Sequence, residues 1–143
     1  MNVLSLLIPK KDVQFLYEDF TIRQSLEKME FHKYGTIPVI DRRSGKYLYS
    51  VREGDFLWYL KDNNMNFSKL NTKPLKDVPC SRNIVSVSVD ADLSELYFLA
   101  GSQNYVPVVD DIGVFIGIVT RKSIMNYTLQ RYKENKENLL EEE

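Results

Sequence analysis

The sequence holds a single cysteine, Cys80, and a single histidine, His32. No intrachain disulfide can form and no cysteine-built metal site can be assembled, which suits a reducing compartment. The glycines nowhere form a phosphate-cradling loop of the P-loop or dinucleotide type, and no residues are paired at metal-ligand spacing. His32, on a predicted helix, reads as a surface or rim residue. The acidic residues are dispersed or gathered in the Glu141 to Glu143 tail, a pattern of solvation and not of acid-base catalysis. These absences together predict that the chain is not an enzyme and carries no cofactor.

An excess of one charge is lacking as well. There are 19 Lys and Arg against 20 Asp and Glu, a formal net charge of -1, which argues against a nucleic-acid polymer held on one large basic face. Long apolar runs are also missing. Met1 to Leu7 meets Pro9-Lys10-Lys11 at once, too short for a signal-peptide core and far short of a membrane span. The expectation is a cytoplasmic protein with no membrane partner.

What is present is ordinary globular material, 43% hydrophobic and 27% charged over 143 residues. A chain of this length forms one compact domain that buries roughly two thirds of its unfolded surface. The most informative feature is a duplication. Thr36-Ile37-Pro38-Val39-Ile40-Asp41 lies over Tyr105-Val106-Pro107-Val108-Val109-Asp110, and Gly45 to Arg52 lies over Gly113 to Thr120 with the turn one residue longer in the first copy. Thr21 with Gln24 has the spacing of a helix-start capping box, followed by Ile22, Leu26 and Met29; Asp92 with Glu95 repeats the signal, followed by Leu93, Leu96 and Ala100. Each helix precedes two apolar runs, Thr36 to Ile40 and Tyr47 to Val51 in one copy, Val106 to Val109 and Val114 to Val119 in the other, which predict paired strands. A second helix then carries Phe56, Leu57 and Leu60, or Ile124, Met125, Leu129 and Tyr132. Short leading strands are expected at Val13 to Leu16 and Val85 to Val87.

The fold class is therefore α+β, two β-α-β-β-α repeats that cover each other's apolar sheets by packing as a pseudo-two-fold pair. The expected boundaries are residues 1–63 for the first repeat, 64–74 for a polar linker that ends in Pro74, and 75–132 for the second. Residues 133–143 are read as a charged helix end or tail.

The pieces Ile37-Pro38-Val39-Ile40-Asp41, Val106-Pro107-Val108-Val109-Asp110 and Gly117-Ile118-Val119-Thr120 resemble the cystathionine-β-synthase (CBS) domain family, over roughly Leu7 to Leu129. Members occur as tandem pairs, or Bateman modules. The resemblance implies a regulatory module that binds adenosine-containing ligands between its two copies and dimerises into a flat disc. Tyr34-Gly35-Thr36-Ile37-Pro38-Val39-Ile40-Asp41 with Gly117 to Lys122 is similar to short stand-alone CBS proteins of Gram-positive bacteria that bind cyclic di-AMP and report to partner enzymes. The expected ligand is cyclic di-AMP, or AMP, ADP or ATP; the expected partners are a second copy of the chain and an unidentified regulated protein.

Physical chemistry points to where a phosphate would sit. A strand-to-helix junction offers free backbone N–H groups and the positive end of a helix dipole, and Thr120-Arg121-Lys122 lies at one. Thr120 can donate a hydroxyl hydrogen bond, Arg121 a planar fork and Lys122 a mobile charge; alternatively Thr120 is an N-cap and both cations are solvated. The first copy reads Arg52-Glu53-Gly54-Asp55, with Arg52 at the Thr120 position. Asp55 stands where the family places a ribose-binding carboxylate, or serves only to start the helix, and the second copy has Ser123 there. One copy thus keeps the carboxylate without the threonine and the other the threonine without the carboxylate, so either one cleft is degenerate or the ligand is held more through phosphate than ribose. Backbone around Tyr34 to Ile37 and Tyr105 to Val106 would line a base pocket, with Ile37, Val106, Pro38 and Pro107 as apolar walls, Thr36 beside them, and Tyr34 or Tyr105 stacking on a base. Ordinary strand packing explains the same residues. Lys10 and Lys11 can approach a phosphate or remain solvated. The competing reading is a protein-interaction module, since 9 tyrosines and Trp58 are many for so small a chain.

Overall fold

The computed structural model describes residues 2–80 and 84–142. Its regular elements are β1 (Ile8–Pro9), β2 (Leu16–Tyr17), α1 (Ile22–His32), β3 (Thr36–Ile40), β4 (Tyr47–Arg52), α2 (Glu53–Asp62), β5 (Val87–Ser88), α3 (Leu93–Ala100), β6 (Tyr105–Val109), β7 (Phe115–Thr120) and α4 (Arg121–Glu141). The mixed α+β class is as expected.

Local signals act where the sequence places them. Thr21 Oγ1 accepts from the Gln24 N–H at 3.1 Å and Gln24 Oε1 accepts from the Thr21 N–H at 2.8 Å, the reciprocal box that starts α1. Two further free N–H groups of its first turn, those of Ile22 and Arg23, donate to the carbonyls of Lys73 and Leu70. The connector between the repeats therefore completes α1 and also places Leu70 and Leu75 in the first core. In α3, Asp92 accepts from the Glu95 N–H at 3.2 Å and from the Ser94 hydroxyl.

The leading strands lie later than expected, at Leu16–Tyr17 and Val87–Ser88. Each runs parallel to the first long strand of its repeat, with Leu16 opposite Val39 and Val87 opposite Val108. Val13, expected on the first of them, is instead packed with Ile40 and Phe115 between the repeats. Past Lys133, α4 continues to Glu141 and is exposed throughout its last two turns.

The sheets are β2-β3-β4 and β1-β7-β6-β5. The second sheet contains β1, from the start of the chain, antiparallel to β7 with Ile8 opposite Ile118 and Pro9 opposite Gly117. Val3, fully buried, enters the second repeat's core beside Val87, Val106, Val108 and Val119. The opening residues thus serve the second repeat before the chain crosses to build the first. Gly117 makes this possible, because a Cβ there would lie 2.1 Å from the Ile8 carbonyl oxygen.

A pseudo-two-fold relation is visible in the hydrogen bonds. The Tyr47 N–H donates to Gly113 O at 3.2 Å and the Phe115 N–H donates to Gly45 O at 3.0 Å, so equivalent groups exchange equivalent bonds. Both glycines have positive φ, 76° and 90°, which the tight turn after each aspartate requires. Both hairpins also slip register at the same point, after Val39 and after Val108.

Candidate functional site

A cleft of about 260 Å³ lies between the repeats, lined by Ile8, Asp12, Val13, Gln14, Tyr34, Thr36, Pro38, Asn104, Tyr105, Ile118 and Thr120. That is close to the lower end of the roughly 300–1,000 Å³ of small-molecule sites. Larger open troughs exist, one of about 620 Å³ beside α1 and one of about 550 Å³ along α3 and α4. Both run along helix surfaces, whereas the smaller cleft is lined by strands of both repeats, β3 of the first and β6 and β7 of the second.

Strand alternation decides which expected residues reach it. On β3, Thr36 and Pro38 face the cleft, while Ile37 and Val39 face the first core and are wholly buried. On β6 the residue after Tyr105, Val106, is likewise wholly buried in the second core. Ile37 and Val106 therefore do not form apolar walls of this cleft; that part is taken by Ile8, Val13, Pro38 and Ile118. Pro107 is buried and lies opposite Ile118 in the ladder.

Thr120 is the N-cap of α4. Its Oγ1 accepts from the Ser123 N–H at 3.1 Å and lies 2.8 Å from Ser123 Oγ. When Ser123 donates in that second contact, Thr120 accepts twice and its own proton remains for a group in the cleft. The cap and ligand readings of Thr120 are thus compatible. Arg121 is not brought to the cleft: its Nε donates to Ala100 O at 2.7 Å, and the side chain lies along the trough between α3 and α4. Lys122 is exposed. In the first repeat the Asp55 carboxylate accepts from the Arg52 N–H at 2.8 Å, which makes it the helix-start partner of α2.

Tyr34 follows a left-handed Lys33 (φ 60°) that ends α1, and its ring stacks on His32 with centroids 5.9 Å apart. This fixes the aromatic at the cleft mouth and gives His32 the rim position its sequence suggests. Lys10 is drawn over the Phe15 ring, 5.1 Å from its centroid, and Lys11 is exposed. Sequence reasoning missed Ile8, Asp12, Val13, Gln14, Asn104 and Ile118 as cleft residues. The first four arrive with the crossing segment, which has no signal of its own; Asn104 stands where the first repeat has Gly35, and Ile118 where it has Ser50.

On the other side of the pseudo-dyad, a hydrogen-bonded row runs from Tyr105 through Ser50 and Tyr47 to the Ile84 carbonyl. Tyr47 donates to Ile84 O, so it must accept from Ser50, and Ser50 in turn accepts from Tyr105. Burial holds the Tyr105 phenol well above its usual range, against the lowering effect of the Ser50 bond, and pushes Tyr47 up to about 12. Among the described residues, no three His, Cys, Asp or Glu side chains gather as a metal site, and no helix is long and apolar enough to cross a membrane.

Comparison with known proteins agrees with this architecture. The family model described as CBS domain matches residues 5–62 and again 75–129. The uncharacterized protein MJ1225 of Methanocaldococcus jannaschii is 22% identical over 137 residues, covering 87% of this chain and 49% of that protein. The chain thus spans about half the length of that curated relative. The crystal structure of CbpB in complex with c-di-AMP superposes with a TM-score of 0.86 at 19% identity, over 96% of this chain and 91% of that one. That of CBSX2 in complex with AMP gives a TM-score of 0.70 at 23% identity, over 92% and 98%. At these identities the likeness is one of fold.

Proposed function

Because the chain belongs to the CBS domain family, we propose that it is a non-enzymatic regulatory sensor that binds an adenine nucleotide, cyclic di-AMP foremost, between its two repeats. The observation that carries this reading is the Thr120 hydroxyl, held at the N-terminus of α4 and lining a cleft shared by both repeats. That end of the helix favours a phosphate oxygen. Pro38, Ile8 and Ile118 offer apolar faces to a purine, Tyr34 an aromatic one, and Asp12, Gln14 and Asn104 polar groups for base edges or ribose hydroxyls. Asp12 would supply the carboxylate that the second repeat lacks at Ser123. A cleft of about 260 Å³ suits one nucleoside unit; a cyclic dinucleotide would leave its second half toward solvent. The solved neighbours in complex with c-di-AMP and with AMP support the same ligand class.

In this reading the protein works in the cytoplasm as a homodimer. Ligand occupancy favours one arrangement of repeats and crossing segment, and a partner protein that prefers that arrangement is recruited or released. The test is melting temperature with AMP, ADP, ATP, cyclic di-AMP and cyclic di-GMP side by side. A ligand that binds only the folded form adds RT ln(1 + [L]/Kd), about 2.7 kcal/mol at a hundredfold excess over Kd. Stabilisation by an adenine ligand, lost in Thr120→Val and kept in Thr120→Ser, is expected. The alternative, a nucleotide-independent interaction module, is favoured by the apolar trough along α3 and α4, where Met125, Leu129 and Tyr132 are exposed; no shift with any nucleotide would make it the leading reading.

A further inference from the structure

We infer that the chain binds one nucleotide and not two, because Tyr105 and Gln103 close the cleft that the duplication would otherwise supply; this rests on the function proposed above. The pseudo-dyad gives several walls of the open cleft a counterpart among the described residues. Thr36 corresponds to Tyr105, Tyr34 to Gln103, Ile118 to Ser50 and Thr120 to Arg52, by the offsets of the repeat. The strand register that sets Leu16 opposite Val39 and Val87 opposite Val108 matches Val13 to Ile84 and Gln14 to Val85.

Each counterpart consumes space or polar capacity that the open cleft leaves available. Where Thr36 presents a small side chain, Tyr105, which also borders the open cleft, extends its phenol to Ser50 and is itself only 8% exposed. Ser50, in the place of Ile118, hands the bond on to Tyr47, which ends on Ile84 O at 3.0 Å. Where Tyr34 stands at an open mouth, Gln103 is 2% exposed and spans the entrance. Its Oε1 accepts from the Val85 N–H at 2.8 Å, and its Nε2 donates to Val85 O and Tyr105 O, both at 3.1 Å. These are the groups a purine edge would need on this side. A ligand entering here would have to break a row of buried hydrogen bonds and leave its members unpaired. The split seen in the sequence, threonine in one copy and carboxylate in the other, matches this asymmetry: Asp55 serves the start of α2, and only Thr120 faces open space.

Tyr105 and Gln103 are thus the residues that set occupancy. Isothermal titration of the full chain with AMP and with cyclic di-AMP tests this directly. At most one equivalent per chain is expected, with affinity lowered at least tenfold in Thr120→Val, held within about threefold in Thr120→Ser, and held within twofold in Arg52→Ala. Two equivalents per chain, or an Arg52→Ala loss as large as that of Thr120→Val in a protein that melts normally, would overturn the inference while leaving the sensor standing. No binding of either probe would overturn the sensor and the inference together.

Discussion

Replacing Ser50 with alanine removes one oxygen from the middle of a buried relay, and the cost can be worked from its neighbours. The Tyr105 phenol loses its acceptor at 8% exposure, and the Tyr47 oxygen loses a donor while still donating to Ile84 O. An unsatisfied buried donor costs about 1–3 kcal/mol. For a chain of this size each kcal/mol lowers the melting temperature by about 2–4 °C, so a fall of roughly 2–12 °C is expected. Tyr105→Phe should cost less, about 1 kcal/mol, since Ser50 keeps Tyr47 as its partner. The double variant removes the orphaned donor along with its acceptor, so its cost should fall below the sum of the two singles. Urea denaturation followed by far-UV circular dichroism gives all three values. A Ser50→Ala effect under about 0.5 kcal/mol, the level of an ordinary surface change, or strict additivity in the double variant, would refute the relay as described.

The same phenols predict alkaline behaviour. Both are held neutral by burial, so their folded pKa lies above the unfolded value of 10; the stability this adds is fully present below pH 10 and is lost as pH rises toward about 12 for Tyr47, at about 1.4 kcal/mol per pH unit per group. A stability curve measured in urea from pH 8 to 12 should be flat and then fall, with a shallower fall in Tyr47→Phe. Gly117→Ala places a methyl group against the Ile8 carbonyl; it should lift β1 from β7 and cost about 3 kcal/mol, the upper end of single substitutions, with nucleotide affinity reduced as well because Ile8 lines the cleft. Arg121→Ala should leave nucleotide affinity within twofold of wild type in calorimetry, since that side chain is tied to Ala100 O and faces the other trough.

The elements legible in the sequence are those set by local chemistry. The box of Thr21 and Gln24, the cap at Asp92, the glycine turns and the paired apolar strands all appear where the sequence predicts them. Less legible were features set by partners distant in sequence. Val13 and Val85 look like strand residues because they are apolar, yet which residues pair is decided by the parallel register with β3 and β6, so both strands fall a few positions later. The cleft followed the same division. Thr36, Pro38, Tyr34, Tyr105 and Thr120, which line it, come from the repeated strands and their flanks, where the duplication draws attention. Ile37 and Val106 were misassigned by treating neighbours on a strand as sharing a face. Ile8, Asp12 and Gln14 could not be placed, because nothing local says that the first ten residues will cross to the far repeat.

That crossing also orders the chain in time. Ile8 and Ile118 are about 110 residues apart and lie side by side, and closing so long a loop is slow compared with making local helices and hairpins. As the chain leaves the ribosome, Val3 to Pro9 emerge long before β7, and β1 lacks its partner until β7 has been made. Neither half cut at the connector would be whole: the first would carry an orphaned strand and the second a bare sheet edge. The duplication reads as two modules, but assembly is closed by a clasp that fastens once β7 has been made.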